Sequence, residues 1–564
     1  MVNKFIMSVI VIGASLVADA LAAEKPNIIF FIVDDYDKAE TSVYGGNVLT
    51  PSLDRLAKNG LTFNNAHMTS TVCTPSRYTC MTGRYASSSY SDRLFAECPK
   101  GTQTLPAFNV GLEPDNMNVA KVLADHGYAT GIVGKFHVSG GHAVGDQDLN
   151  IPKNVPYTDE LNQKKYEREK QDRELLKSYG YTWAKNIYMD NVKAPFKGHN
   201  PEWTISAAME FVEEHQDQPF FLYYGTTLLH GPNKEWHNSL TEKELVTAEG
   251  FLEKPIGIMD RGSVITRLEE AGLDPVNNAG YLWMDDSLGM LLDKLEELGI
   301  ADNTLVCFVA DHGSNRKGSL YTIDGTEVPC IISWPAGIEK GVVTEELIQN
   351  TDFVSTWFDL AGVELPEEYK MDGVSMTPLF KDWNAPVRDY VFTEMGASRA
   401  VKTKEWSYMT LRFTTDQVEE MRNNERSIER TLTGLSGGIS RGRDNPNALS
   451  YHQLYNLKKD RGETNNLVDN PKHARTIEAL RAMLKEELLK FEGRPYGEFV
   501  LGGNAQGPGT FDDILAKMKE YMEGPSLKKA KKTKQSKSKQ EGRARGDSSR
   551  PRGSCLNLMD RYSR

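Results

Sequence analysis

Residues 27–33, NIIFFIV, are apolar at nearly every position rather than at every second one. A strand with that pattern has no solvated face and must be covered on both sides. Runs of the same kind occur at 129–133, 219–224 and 304–310. Between them lie segments with apolar residues at helical spacing. Three end at a glycine: 51–59 before Gly60, 117–126 before Gly127 and 281–298 before Gly299. A fourth, 203–215, runs directly into the strand at 219. Alternating buried strands and helices predict an α/β fold, a large, mostly parallel central sheet sandwiched by helices. Each strand is followed at once by polar residues, and in open sheets of this kind ligands bind at that carboxyl edge.

The 564 residues exceed what one core usually supports, roughly 250–300 residues, so a second, smaller unit is expected. The net charge of −12 is unevenly spread: residues 526–564 hold 13 Lys/Arg against 3 Asp/Glu, which leaves −22 on the rest. That tail, with Lys528, Lys529, Lys531 and Lys532 and few apolar residues, reads as a disordered extension, either merely solvated or able to bind an anionic polysaccharide or the cell envelope. At the other end, Lys4, an apolar run over 5–17 and Ala20-Leu21-Ala22-Ala23 read as a signal peptide over residues 1–23, with Asp19 the feature that would fit an uncleaved anchor instead. The run is short for a membrane span, and no other stretch is long enough. A secreted or periplasmic protein with no stable membrane span and no nucleic-acid partner is therefore expected. The cysteines at 73, 80, 98, 307, 330 and 555 show no zinc spacing, and bridges between Cys80 and Cys98 or Cys307 and Cys330 remain open.

The strand ends carry the chemistry. Asp34-Asp35 closes the first run, Lys135 and His137 follow the second, His230 follows the third, and Asp311-His312-Gly313 closes the fourth. Three carboxylates at one edge repel one another unless a cation joins them, and oxygen donors point to Ca²⁺ or Mg²⁺, with the more flexible coordination of Ca²⁺ favoured. A separate stretch, Cys73-Thr74-Pro75-Ser76-Arg77, has a proline two residues after the cysteine and a helical pattern over 76–81. The first amides of that helix would point toward position 73, and Arg77 adds a forked positive charge suited to a tetrahedral oxyanion.

Taken with Thr82-Gly83-Arg84, the stretch at Cys73 resembles the type I sulfatase signature of the alkaline phosphatase superfamily. The resemblance runs from about residue 25 to about 466, through Pro26-Asn27-Ile28, Thr50-Pro51-Ser52, Gly134-Lys135-Phe136-His137, His230-Gly231-Pro232, Asp311-His312-Gly313 and Lys317-Gly318-Ser319. Leu454-Tyr455-Asn456-Leu457 and Gly462-Glu463-Thr464 look like the family's closing segment, which implies a smaller C-terminal subdomain carrying an antiparallel sheet and a helix. The expected organisation is a catalytic domain over 24–385, this subdomain over 386–525 and the basic tail over 526–564.

The resemblance implies conversion of Cys73 to 3-oxoalanine (formylglycine), by a formylglycine-generating or anaerobic maturase enzyme, and one Ca²⁺ ion held by Asp34, Asp35, residue 73, Asp311 and His312. Arg77 and Lys135 would hold charge on residue 73 and on the sulfate, and Asp311 would help deprotonate the attacking hydroxyl. His230 and Lys317 would serve the leaving oxygen, and His137 would take the second proton. Two departures stand out. His312 occupies a place where many members have Asn, and Thr322 to Glu327 replaces a common Glu-Gly-Gly-Ile-Arg. The implied substrate is a sulfated glycan, with Arg93, His142 and Asp146 as candidate sugar contacts and the polar insertion over 140–183 near the pocket. The alternatives are a phosphodiesterase or phosphonate hydrolase of the same superfamily, and a catalytically silent calcium-dependent glycan binder.

Overall fold

The computed structural model describes residues 25–115, 117–139, 156–192, 195–242 and 246–524. Its large sheet has eight strands. In chain order the strands are β1 (Asn27–Val33), β2 (Leu61–His67), β3 (Ala129–Lys135), β4 (Trp183–Tyr188) and β5 (Phe220–Gly225), then a separate hairpin of β6 (Val246–Thr247) and β7 (Gly250–Phe251). β8 (Thr304–Ala310), β9 (Cys330–Ser333) and β10 (Val342–Gln349) complete the set. The order across the large sheet is β10-β2-β9-β8-β1-β5-β3-β4, all parallel except β9, which runs against both neighbours. β1, the most apolar strand, lies between β8 and β5 with every residue buried. Its alternate side chains serve opposite faces, as the strand pleat requires. Phe30 packs on Phe353 and Trp357 of the helix Thr351–Ala361, with ring centroids 5.2 and 6.0 Å away, while Phe31 stacks on Phe308 at 5.6 Å.

The helices expected near 203–215 and 281–298 are both present and begin earlier, at Pro201 and Pro275, behind the side-chain caps of Asn200 and Asp274. Proline at a first helical position costs nothing because that N–H has no partner in the helix. The described part of the insertion over 140–183 is the helix Asp159–Ser178, which is tied to the edge strand β4 through Glu169, whose carboxylate accepts the Ile187 N–H at 3.0 Å. The five described cysteines are free thiols, so neither candidate bridge is formed; Cys307 and Cys330 share a side-chain hydrogen bond instead. No helix among the described residues is long and apolar enough to cross a membrane.

The C-terminal part forms an antiparallel sheet ordered β11 (Val391–Met395), β12 (Ser398–Lys402), β13 (Trp406–Leu411), β14 (His452–Asn456). One face, with Phe392, Val401, Tyr408 and Leu454, is covered by Leu480, Leu484 and Leu488 of the helix Ala474–Leu489. The other face, with Met395, Ala400, Met409 and Tyr455, packs on Val72, Leu320 and Tyr321. Val72 directly precedes Cys73, and Leu320 and Tyr321 follow Lys317 by three and four residues. The small sheet is thus the backing for two of the segments that carry candidate chemistry.

A buried polar tie reinforces that backing. Lys402 Nζ donates to Thr322 Oγ1 at 2.9 Å, Ser407 Oγ at 3.2 Å and Glu463 Oε1 at 3.3 Å, and the other Glu463 oxygen accepts the Thr322 N–H. Removing one partner of a buried pair leaves the other charge without compensation, at a cost of about 3–5 kcal/mol. Lys402→Met is therefore expected to lower the free energy of urea unfolding by that order and to reduce turnover, with Glu463→Gln in the same chain restoring part of the stability. Equal midpoints for Lys402→Met and the wild type would contradict the tie.

Candidate active site

Strand order brings the acidic residues together. Because β8 and β5 flank β1, the residues that leave these three strands emerge side by side: the Asp311 N–H donates to Val33 O at 2.8 Å and the Asp34 N–H to Leu228 O at 3.0 Å. Asp35 then takes a left-handed backbone, φ 58°, a conformation that aspartate tolerates better than most residues. The third contributor is the helix Cys73–Thr82, every residue of which is buried. It starts at Cys73 itself, three residues before the expected start, because Pro75 falls in the first turn where no N–H is needed. Ser76 Oγ donates to Asp311 O at 2.5 Å and fixes the helix start against the end of β8.

Lys135 was expected beyond its strand and lies inside it, as the last residue of β3. The register against β4 slips at Gly134, whose φ is +79°, and a Cβ there would sit 2.0 Å from Gly225 O. Only glycine fits this bulge. The bulge directly precedes Lys135, whose ammonium reaches the cluster.

Cys73 Sγ is the centre of that cluster. It donates to Asp34 Oδ1 at 3.3 Å and lies 3.4 Å from His312 Nε2, 3.7 Å from Lys135 Nζ and 3.7 Å from Lys317 Nζ. Each carboxylate has its own cation: Lys135 on Asp34, Lys317 on Asp35 at 2.7 Å, and Arg77 Nε on Asp311 Oδ2 at 2.9 Å. The repulsion expected from the sequence is therefore already offset by basic side chains. Arg77 is locked further by Lys135 O at 2.9 Å and Tyr223 OH at 3.1 Å, while its Nη2 has no hydrogen-bond partner and points to within 4.0 Å of Asp34 Oδ1.

Protonation follows from this balance. Burial pushes Asp34 and Asp35 upward, but the bases around them, Lys135 foremost for the first and Lys317 for the second, together outweigh it and hold both below the usual carboxylate range. Asp311 goes the other way, pushed up to about 6, chiefly by burial. Burial and Asp34 push the Cys73 thiol up, and Lys135, Lys317 and His312 bring it net below its ordinary value. His312 is pulled down by burial but raised to about 9 by the carboxylates of Asp311 and Asp35. Its Nδ1 lies 2.9 Å from Gly313 O, an acceptor only, so Nδ1 carries hydrogen and Nε2 faces the cluster.

Ligand atoms of Asp34, Asp35, Cys73 and His312, all buried, lie within 4.8 Å of one another, an arrangement that can hold a metal ion. Asp311 stands beside this set rather than in it, with Oδ1 accepting the Asp35 N–H at 3.2 Å and 3.6 Å from His312 Nε2. The proton on Cys73 therefore faces Asp34, and Asp311 mainly holds Arg77.

His137 has φ 57° and a buried Nδ1 with no partner; its ring is steadied by stacking on Phe108, 5.4 Å between centroids. Burial, first of all, pulls its pKa well down and that of His230 down less steeply. The sequence reading missed Asn191, whose Oδ1 accepts from Lys135 Nζ at 3.1 Å and whose Nδ2 lies 3.4 Å from His230 Nε2. The rule that polar residues after a strand sit at the carboxyl edge applies to it, since it follows β4. Arg93 is on the exposed helix Asp92–Glu97, paired with Glu97 at 2.9 Å and donating to Phe108 O at 3.4 Å, so it belongs to the support of Phe108 and not to the cluster. His142 and Asp146 lie outside the described residues.

The family model for sulfatases matches residues 26–363, well over half of the chain and all of the cluster. The chain belongs to the sulfatase family. It is a sulfatase, an enzyme that hydrolyses sulfate esters. A second family model, the C-terminal part of N-sulphoglucosamine sulphohydrolase, matches 311–421. Among curated proteins, an ulvan-active sulfatase from Formosa agariphila is 27% identical over 482 residues, covering 83% of this chain and 79% of that one. Human arylsulfatase A is 26% identical over 519 residues, covering 84% and 90%. An N-acetylgalactosamine-6-O-sulfatase from Bacteroides thetaiotaomicron is 24% identical, covering 82% and 93%. Among solved structures, a putative sulfatase from Bacteroides fragilis aligns with a TM-score of 0.55 at 19% identity, covering 85% of this chain and 100% of that one. A sulfatase from Pseudoalteromonas sp. aligns at 0.54 and 18%, covering 85% and 93%. These structures share the fold: the mostly parallel sheet with its helices and the antiparallel C-terminal sheet.

Arg77→Lys keeps the charge but loses the fork that joins Asp311, the Lys135 carbonyl and Tyr223. Turnover of an aryl sulfate is expected to fall by at least about 10²-fold, as for loss of a preorganised charge in a buried site. Tyr223→Phe, which removes one of the fork's acceptors, should cost about 10-fold or less. Near-wild-type turnover in Arg77→Lys would show that the fork is dispensable.

Proposed function

We propose that this sulfatase removes sulfate from a sulfated carbohydrate outside the cytoplasm, using Cys73 in its formylglycine form and a Ca²⁺ ion. The observation that carries the reading is the position of Cys73 Sγ, where Asp34, His312, Lys135 and Lys317 converge. Sγ stands in for an oxygen on the same carbon, which would make the donor set largely oxygen and suited to a hard cation. The donors fit, with His312 Nε2 the one nitrogen: Asp34, Asp35 and His312 would hold the ion with residue 73, and Asp311 alongside. In the converted enzyme the aldehyde hydrate would supply the nucleophilic hydroxyl, and a bound calcium ion would lower the pKa of that hydroxyl and offset sulfate charge.

The chain's own residues do the rest. Asp34 Oδ1 takes the proton that residue 73 gives up, because it is the acceptor already in contact. With a cation on the carboxylates, Lys135 and Lys317 would be free to hold the sulfate oxygens, and the unpartnered Nη2 of Arg77 adds a further donor. His230 faces the leaving oxygen and stabilises it by hydrogen bonding, with Asn191 setting its ring. His137, whose Nδ1 is unpartnered, accepts the last proton as the aldehyde is restored. Cys73 is 1% exposed in the folded chain, so its conversion requires a maturase that acts before folding, a formylglycine-generating or anaerobic enzyme. The leader-like residues 1–23 support a secreted or periplasmic location, and the ulvan and N-acetylgalactosamine-6-O-sulfate relatives support a glycan substrate.

Mass spectrometry of the peptide containing residue 73, from protein made in a host with the maturase, is expected to show aldehyde in place of thiol, and Cys73→Ala to abolish turnover while the free energy of urea unfolding stays within about 1 kcal/mol of wild type. A thiol at full occupancy in active enzyme would overturn the reading. Paired aryl sulfate and aryl phosphate substrates decide the ester class: sulfate is expected to be preferred, and a phosphate preference would favour the phosphodiesterase alternative. A calcium chelator is expected to lower both the melting temperature and turnover, each restored by added Ca²⁺, since a ligand that binds only the folded state stabilises it. An unchanged melting temperature would speak against a resident ion.

A further inference from the structure

Past the C-terminal end of the Cys73–Thr82 helix lies a cavity of about 510 Å³ between the large domain and the C-terminal subdomain. None of its lining residues belongs to the cluster around Cys73. Its lining includes Arg84, Tyr90, Phe95, Lys370, Lys490 and Arg494. Five of the lining residues are Lys or Arg against three Glu or Asp, on a body that is otherwise strongly acidic.

The electrostatics are unfinished. Arg494 is only 6% exposed, yet no carboxylate lies within 4.0 Å of its guanidinium among the described residues. Its Nη1 donates to Cys98 O at 2.6 Å and Pro99 O at 2.9 Å, its guanidinium lies 4.9 Å from the centre of the Phe95 ring, and its Nε and Nη2 make no hydrogen bond among the described residues. Buried charges are normally paired. Arg84, 7% exposed, is by contrast paired with Glu113 at 3.5 Å and Asp115 at 3.4 Å, and only its Nε has no partner. Lys370 is exposed and has no ion pair among the described residues. Of the acidic lining residues, Asp372 accepts the Tyr85 N–H at 2.8 Å, Glu492 pairs with the lining Lys100 at 3.4 Å, and Glu368 is exposed with no ion pair among the described residues. Beside the unpaired cations, Tyr90 and Phe95 are 42% and 38% exposed, flat apolar surfaces of the kind that pack against sugar rings.

We propose that this cavity is a second carbohydrate site, which binds an anionic, sulfated segment of a glycan chain outside the active centre. The substrate class rests on the function proposed above; the site itself rests on the cavity and its unpaired cations. A chain held there would keep a polymeric substrate on the enzyme, so the effect is expected on polymers and not on small esters.

The test uses the full chain in the Cys73→Ala form, so that nothing is hydrolysed, with dextran sulfate and uncharged dextran as probes at a fixed salt concentration. Wild-type cavity residues should retain dextran sulfate and ignore dextran. The double substitution Arg494→Gln with Lys370→Gln should weaken dextran sulfate binding about 10-fold or more, the loss expected for two charge-assisted contacts. Lys164→Gln, on the exposed face of the helix Asp159–Ser178, controls for net charge and should change binding less than two-fold. The Lys370→Gln single variant guards against misfolding, since that side chain is exposed and unpaired, and should weaken binding on its own. In the Cys73-containing enzyme, the double variant should hydrolyse an aryl sulfate as the wild type does. Unchanged dextran sulfate binding in the double variant, or an equal loss in Lys164→Gln, overturns the proposal. A wild type that hydrolyses no aryl sulfate but still shows the cavity-dependent binding would defeat the proposed function and leave the site standing.

Discussion

Everything else in this structure depends on a dry alternation of charge at the carboxyl edge of the sheet. Asp34, Asp35 and Asp311 face Lys135, Lys317 and Arg77 one to one, with the side chain of residue 73 in their midst. Taking six such groups out of water is expensive, and their mutual attraction repays it only if the geometry is held closely. The arrangement is then a poor device for stability and a good one for chemistry. Its cations are preorganised, desolvated and opposed by carboxylates that a divalent ion can take over.

Holding that geometry falls to elements far apart in the chain. The central strands fix Asp34, Asp35 and Asp311; the bulge at Gly134 turns Lys135 inward; the buried Cys73 helix delivers residue 73 and Arg77. The segment with Lys317 has no strand or α-helix of its own and is backed instead by the small antiparallel sheet and by Lys402 and Glu463. The C-terminal subdomain is in this sense part of the catalytic apparatus without supplying a group to it. The cavity beyond the Cys73 helix lies at the same junction, where the two units meet.

Much of this was legible in the sequence wherever burial on both faces leaves a continuous apolar run. β1 and β8 have the expected bounds, and the residues just after them are those that converge. Less could be read where local rules leave a choice. A proline two residues after Cys73 is compatible with a helix starting at 73 or at 76, and the packing of a wholly buried helix decides it. The slip at Gly134 is a tertiary event, so Lys135 was placed outside its strand. The pairing of every carboxylate with a base was invisible to an argument from acidic residues alone, because the bases come from three other segments. Asn191 follows an edge strand, WAKNIY, that mixes polar and apolar positions and gives no strong signal.

The central claim is that residue 73 shares a divalent ion with the two carboxylates that follow β1, Asp34 and Asp35. The most direct measurement is a crystal structure of the matured enzyme grown with Ca²⁺, using anomalous scattering to identify the ion. The account predicts one ion at about 2.3–2.6 Å from oxygens of Asp34 and Asp35 and of the residue 73 side chain, with Lys135 and Lys317 turned away from those carboxylates. Density for both lysines still bonded to Asp34 and Asp35, with no ion between them and residue 73, would contradict it.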